Sequence, residues 1–248
     1  DGTSISSTMT GLSTDVWYHV MCVFNSTHVC LYVNGSEADC ASGTTAEVKN
    51  VPFRLGSMNG SYFFNGTLDE VMVFNSTLTP AQILAIYTNQ SSRFVPIGTQ
   101  TLRFQNITSG YDKVELNADF QNLVGSNISA RIGYWDISKG YNESDFNDLD
   151  GLVSYWHFDE ASWDGTLGEV KDVMERNNGT AIANAGITSA GLFGNAGTFD
   201  GSGDYVNITD DSSLDLYNLT VAIWIKPDDG LTNRIYLSKS NGTAGING

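Results

Sequence analysis

The sequence predicts an all-β protein built of antiparallel strands, and three observations carry that reading. Short segments of β-forming residues alternate apolar and polar side chains along most of the chain. Gly is frequent at 26 residues and Pro rare at 4, the balance of many tight turns. One stretch only, "TPAQILAIYTN", carries a clear helical pattern.

The elements follow in order. "VWYHVMCVF" at 16–24 and "HVCLYV" at 28–33 are strands separated by the turn "NSTH". "NGS" at 34–36 turns the chain again, so the first strands form a meander. If Asn34, Gly35 and Ser36 make that turn, Cys30 falls opposite Cys40, and a Cys30–Cys40 disulfide is expected. Cys22 is then the odd thiol and is expected in the core. No His lies at metal spacing from these cysteines, which argues against zinc. "VPFRLGS" and "YFFNGTLDEVMVFN" supply further strands. The helix follows, with Thr79 as N-cap, Pro80 in the first turn and Gln82 closing a capping box. Ile83, Leu84, Ile86 and Tyr87 form its expected apolar face.

Residues 95–150 differ in texture. "TQTLRFQNIT", "DKVELNADFQ" and "ISARIGYWDI" are alternating segments joined by Gly, Asn and Ser, read as a small β connector domain. Residues 151–248 return to strands: "LVSYWHFDE", "AGTFDGSGDYVNI", "LTVAIWIKP" and "RIYLSKS". The domain reading is therefore 1–94, 95–150 and 151–248.

Charge and sequons narrow the function classes. The net charge is −16, from 28 acidic and 12 basic residues, and the bases are scattered singly. Nucleic acid, which needs clustered Lys and Arg, is excluded as a partner. No apolar run has the length of a membrane span. Asn-x-Ser/Thr occurs at Asn25, Asn34, Asn59, Asn65, Asn75, Asn89, Asn106, Asn127, Asn142, Asn178, Asn207, Asn218 and Asn241, 13 of the 22 Asn. Ser and Thr make up 47 of 248 residues, so chance would place about 4 such sites. Turn chemistry explains "NGS" and "NGT" but not "NIT", "NLT" and "NIS". The excess predicts dense N-glycosylation and an extracellular or cell-surface location.

Two stretches carry a family resemblance. "DVWYHVMCVFNSTHVCLYVNGSEA", "PFRLGS" and "YFFNGTLDEVMVFNSTLTPAQILAIY" resemble the second half of a laminin-G-like, concanavalin A-like jelly-roll domain. "GLVSYWHFDE", "GEVKDVMERNNGTA", "GLFGNAGTFDGSGDYVNI" and "LDLYNLTVAIWIKP" resemble its first half. The resemblance implies two antiparallel sheets packed as a sandwich. The halves stand in reversed order, which leaves three explanations: a window on a tandem array, subunits that complete each other head to tail, or one chain that closes on itself. The family's usual strand pair between "SKSNGTAGING" and "DGTSISSTMTGLSTDVW" has no counterpart in the sequence. A half sandwich cannot bury its inner face, so head-to-tail assembly into a filament, stalk or surface layer is the expectation.

The chemistry is sparse. The nearest match to a glycosidase carboxylate strand is "ESDFND", Glu143 to Asp148, which ends in Asp beside the sequon at Asn142. Glu37 and Asp39 lack a third acid, and His19, His28 and His157 stand apart from one another in sequence. No nucleophile elbow or phosphate loop is present, so no enzyme activity is expected. The resemblance implies one structural Ca²⁺, with Asp69 as a ligand from the last strand and Asp172 and Asn177 in the loop that completes such sites. "DFNDLDG" at 145–151 has calcium-loop composition at the wrong spacing. The alternative function is a carbohydrate-binding adhesin. Trp135, Trp156 and Trp163 are its candidate platforms, but Trp156 and Trp224 lie in strand patterns, which leaves the loop residue Trp163.

Overall fold

The computed structural model describes residues 12–25, 27–42, 50–58, 62–91, 151–229, 235–239 and 246–247. The chain divides into one compact unit of 1–94 with 151–248 and a second of 95–150, which lies outside the described residues together with its three alternating segments and "ESDFND".

The first unit is an all-β, antiparallel sandwich. Strands β1 (Tyr18–Asn25), β2 (His28–Val33), β3 (Ser36–Ser42), β4 (Phe53–Leu55) and β5 (Asn65–Phe74) precede helix α1 (Pro80–Ser91). After residue 150 come β6 (Leu152–Trp156), β7 (Gly179–Ile182), β8 (Gly186–Thr188), β9 (Ala196–Asp200), β10 (Tyr205–Ile208), β11 (Asn218–Pro227), β12 (Ile235–Ser238) and β13 (Ile246–Asn247). The large sheet runs β3-β2-β1-β11-β5-β9-β8, with β6 also on β5; the small sheet runs β13-β12-β4-β10-β7.

Both sheets mix the two ends of the chain. β11 lies between β1 and β5, with Cys22 opposite Val221 on one edge and Val221 opposite Val73 on the other. β4 lies between β10 and β12. Alternation along β11 sends Val221, Ile223 and Ile225 into a core shared with Val20, Leu31, Phe53, Leu68 and Val206. The reversed halves thus form one sandwich within one chain. This corrects the head-to-tail expectation: the apolar faces that were to be covered by a neighbour are covered by the same molecule.

The β2–β3 turn is tighter than the spacing suggests. Val33 pairs with Ser36, so Asn34 and Gly35 alone make the turn, at φ of 49° and 78°. Positive φ at both positions is the twist-matched hairpin form that Asn-Gly favours. The register then slips between Leu31 and Tyr32, which restores Cys30 opposite Cys40, and a disulfide joins them. Cys22 is buried, and its thiol is pushed up to about 12 by burial.

Helix α1 is capped in both directions. The Thr79 backbone N–H donates to Gln82 Oε1 at 2.9 Å, and the Gln82 N–H donates to Thr79 Oγ1 at 3.3 Å. Its inner face is Ile83, Ile86 and Gln90, whereas Leu84 is 51% exposed. Gln90 is drawn inward because Trp224 Nε1 donates to its Oε1 at 2.7 Å, satisfying an indole N–H that burial would otherwise strand.

Cleavage within 95–150 should leave 1–94 and 151–248 in one particle of single-chain mass on size-exclusion chromatography with light scattering. Separation of the fragments, or a particle of twice that mass, would contradict closure within the chain.

A buried carboxylate site where one strand changes partners

Strand β5 pairs along one edge with β11. Its other edge is divided: Asn65–Leu68 pair with β9, and Val71–Phe74 pair with β6. Asp69 and Glu70 occupy the gap between these partners. Glu70 takes a φ of 52°, and the β5–β11 register shifts at the same point, between Ala222 and Trp224. A bulge of this kind turns side chains out of strict alternation. Here it sets two adjacent carboxylates where two loops arrive, the one leaving β6 and the one entering β9.

Asp69 is fully buried. Its Oδ2 accepts the backbone N–H groups of Leu192 at 2.8 Å and Phe193 at 3.0 Å, whereas Oδ1 is buried with no hydrogen-bond partner. Burial holds its carboxyl well above the usual aspartate range; the neighbouring Glu70 and Asp159 charges push the same way, and the two N–H bonds only partly oppose them. Glu70 accepts from the Tyr155 hydroxyl on one oxygen and meets His157 Nδ1 at 3.1 Å on the other. Asp159 Oδ1 accepts the Asn195 N–H at 2.8 Å, and the Asn195 side chain donates to the Glu160 carbonyl at 3.1 Å, tying the two loops together.

The other residues singled out in the sequence lie elsewhere. Asp172 spends both oxygens on its own loop: Oδ1 accepts from the Tyr155 and Met174 N–H groups, and Oδ2 from those of Arg176 and Asn177. Asn177 donates from Nδ2 to Ser154 and Ser213, and its carbonyl accepts from Trp156 Nε1. These two residues therefore organise a turn, and their oxygens are already committed. A hard cation needs several unspent oxygens. Asp69 Oδ1 offers one, and Asp159 and Glu70 are the carboxylates whose charge it feels. Asp159 and His157 went unremarked as partners of Asp69 and Glu70 because only the strand-partner change on β5 brings them together.

Trp163 is corrected as a carbohydrate platform. It is 8% exposed, edge-on to Phe158 at 5.2 Å, and it fills the space left by Gly197, whose added Cβ would lie 2.8 Å from the indole. Its Nε1 donates to Glu160 Oε2 at 3.1 Å, so the ring is core and its polar edge is satisfied. Trp156 and Trp224 are buried as their strand patterns require. Trp135 lies outside the described residues. His19 is buried against Trp224 and Tyr87, and desolvation lowers its pKa to about 3.

The strand that begins at Tyr18, the Asn34-Gly35 turn and the Asp69-Glu70 bulge all lie in the first third of the chain. Residues 1–84 match the family model of the concanavalin A-like lectin/glucanases superfamily. The superfamily match covers about a third of the chain and ends inside α1. It agrees with the laminin-G-like resemblance of the same segment and with the two antiparallel sheets. No curated protein and no solved structure matches the chain.

The raised Asp69 pKa has a definite sign. Between the ordinary aspartate value and the raised one, the folded state holds a proton that the unfolded state has lost. That stability is present at low pH and is lost as pH rises through the folded pKa. In chelator, Asp69→Asn should therefore gain melting temperature relative to the wild type between about pH 4 and pH 8. A constant difference across that range would show that Asp69 is ionised throughout.

Proposed function

We propose that this chain is a non-catalytic, N-glycosylated structural module of an extracellular or cell-surface protein, a rigid spacer in a stalk or surface layer. The observation that carries the reading is the gathering of sequons at one end of the large sheet. Asn25 ends β1 and lies directly opposite Asn218, which begins β11; Phe74 pairs with Thr220, so Asn75 follows at the same end of β5. All three Asn side chains are exposed. Chemically, such a rim would carry a hydrated collar that hinders proteases and keeps neighbouring modules apart.

The absence of enzyme activity belongs to this proposal. The adjacent carboxylates Asp69 and Glu70 are buried and engaged by loop N–H groups, a tyrosine and a histidine, which suits a structural clamp better than an open acid–base pair. Among the described residues, no helix is long and apolar enough to cross a membrane. The superfamily includes lectins, but Trp163, the platform on which that alternative rested, lies in the core.

Calcium at Asp69 is part of the same proposal, with Asp159, a carboxylate whose charge Asp69 feels, in place of Asp172 and Asn177. The unpartnered Oδ1 fits a hard cation, which would compensate a carboxylate that burial otherwise penalises. Ca²⁺ would pin the loops after β6 and before β9 to the gap in β5. Millimolar Ca²⁺ should raise the wild-type melting temperature by several degrees and leave Asp69→Asn unchanged; an equal response of both proteins would remove the metal from this site.

The glycan reading is tested by intact-mass spectrometry of the secreted protein before and after enzymatic removal of N-glycans. A mass drop of several glycans, with Asn converted to Asp at Asn25 and Asn75, is the expected result. A single species at the polypeptide mass would overturn it.

A further inference from the structure

We infer that the fold sorts the sequons by time: Asn65, Asn89, Asn178, Asn207 and Asn218 can receive glycan only before the sandwich closes, whereas Asn25, Asn34 and Asn75 remain open afterwards. The inference rests on the N-glycosylation reading and adds an order of events to it.

The transfer itself sets the requirement. Asn Nδ2 forms a bond to the anomeric carbon of a lipid-linked sugar and loses a proton. The sugar–phosphate bond breaks, and the lipid phosphate leaves with the electron pair. The transferring enzyme must reach Nδ2 and also the hydroxyl two residues on, so it needs a sequon in a turn, where the backbone can bend around the catalyst, rather than one inside a strand or helix.

At Asn218 that requirement fails although the Asn is exposed. Thr220 is fully buried; its Oγ1 donates to the Ser76 carbonyl at 2.8 Å and accepts from the Leu78 N–H at 3.0 Å. Its backbone lies between Val23 and Phe74 in the middle of the sheet. The sequon hydroxyl is thus the fastening that holds the β5–α1 turn to β11. Asn65 donates from Nδ2, the reacting atom, to Asp229 Oδ2 at 3.2 Å, and Thr67 is 4% exposed. Between them, Gly66 leaves no room, since an added Cβ would stand 2.3 Å from the Lys226 carbonyl.

Three more sequons are closed by regular structure. Asn178 is exposed, but Gly179 and Thr180 lie in β7, Gly179 is buried, and Thr180 Oγ1 accepts the Gly168 N–H at 3.1 Å. Asn207 sits in β10 with Arg54 on one side and Thr180 on the other, followed by the fully buried Ile208. Asn89 lies in α1, followed by Gln90, which holds Trp224.

The open set lies in turns. Asn25 and Thr27 are both exposed, and the bonds from the Thr27 N–H, the Thr27 hydroxyl and the His28 N–H all fall on Asn25 Oδ1 rather than on Nδ2. Asn75 and Thr77 are exposed in the turn after β5. Asn34 stands at the hairpin tip before the exposed Ser36 and uses Oδ1 to accept the His19 N–H at 3.0 Å.

The test sets the folded full chain against short peptides spanning each sequon. Both are incubated with an oligosaccharyltransferase and a lipid-linked oligosaccharide, and site occupancy is read by peptide mass spectrometry. The peptides should accept glycan at all eight positions. The folded chain should accept it at Asn25, Asn34 and Asn75 and lose at least about tenfold at the other five, since those require local opening. If the folded chain is modified at Asn218 as readily as at Asn25, while the secreted protein carries glycan, the ordering fails and the glycoprotein reading stands. If the secreted protein carries no glycan at any sequon, the underlying reading fails.

Discussion

Strand β11 enters the large sheet with two edges of backbone donors and acceptors to satisfy, and both are met from the other end of the sequence. β1 takes one edge and β5 the other. Ten residues, buried along nearly their whole length, thereby join segments more than a hundred positions apart. An unpaired β11 would strand those backbone groups in a dry environment, a cost far larger than the loop-closure entropy of bringing the ends together. Once β11 is seated, Trp224 is presented to α1, Thr220 to the turn before α1, and Val221, Ile223 and Ile225 to the core.

The same insertion explains the carboxylate gap. With one edge of β5 filled by β11, the other must accommodate both β6 and β9, and neither is long enough to cover ten residues alone. The partners meet near Asp69 and Glu70, and the strand bulges there. A surface carboxylate would be an unremarkable choice at a bulge. A buried one carries a desolvation cost, which the Leu192 and Phe193 N–H groups offset in part. The residue thus works as a fastener for the β9-entry loop, and its second oxygen is buried with no hydrogen-bond partner.

Helix α1 illustrates how side-chain chemistry follows from this arrangement. It packs across His19, Trp224 and the β2–β3 turn, where Gly35 admits Tyr87 and Leu84; an added Cβ would lie 2.9 Å from the Tyr87 ring. The indole N–H of Trp224 is met by Gln90 Oε1 on the inner face, while Gln90 Nε2 is itself buried with no hydrogen-bond partner.

Much of the fold was legible in local pattern. Alternation located the strands, Thr79, Pro80 and Gln82 located the helix start, and Asn34-Gly35 located a turn, because these features depend on neighbours in sequence. The Cys30–Cys40 pairing was also local, although a two-residue turn plus a bulge produced it in place of a three-residue turn. Less of the site was legible. Asp69 was marked, but Asp172 and Asn177 proved to be occupied with their own loop, and Trp163 proved to be core. Nothing in the spacing announces that Asp159 and His157 approach Asp69 and Glu70, since that depends on β6 and β9 dividing an edge of β5. The strands, the turns and the helix cap follow from backbone preferences over a few residues, and the sequons are read directly from the chain. Closure of the two halves on each other and the burial of Asp69 and Glu70 depend instead on pairing between segments that lie far apart in sequence.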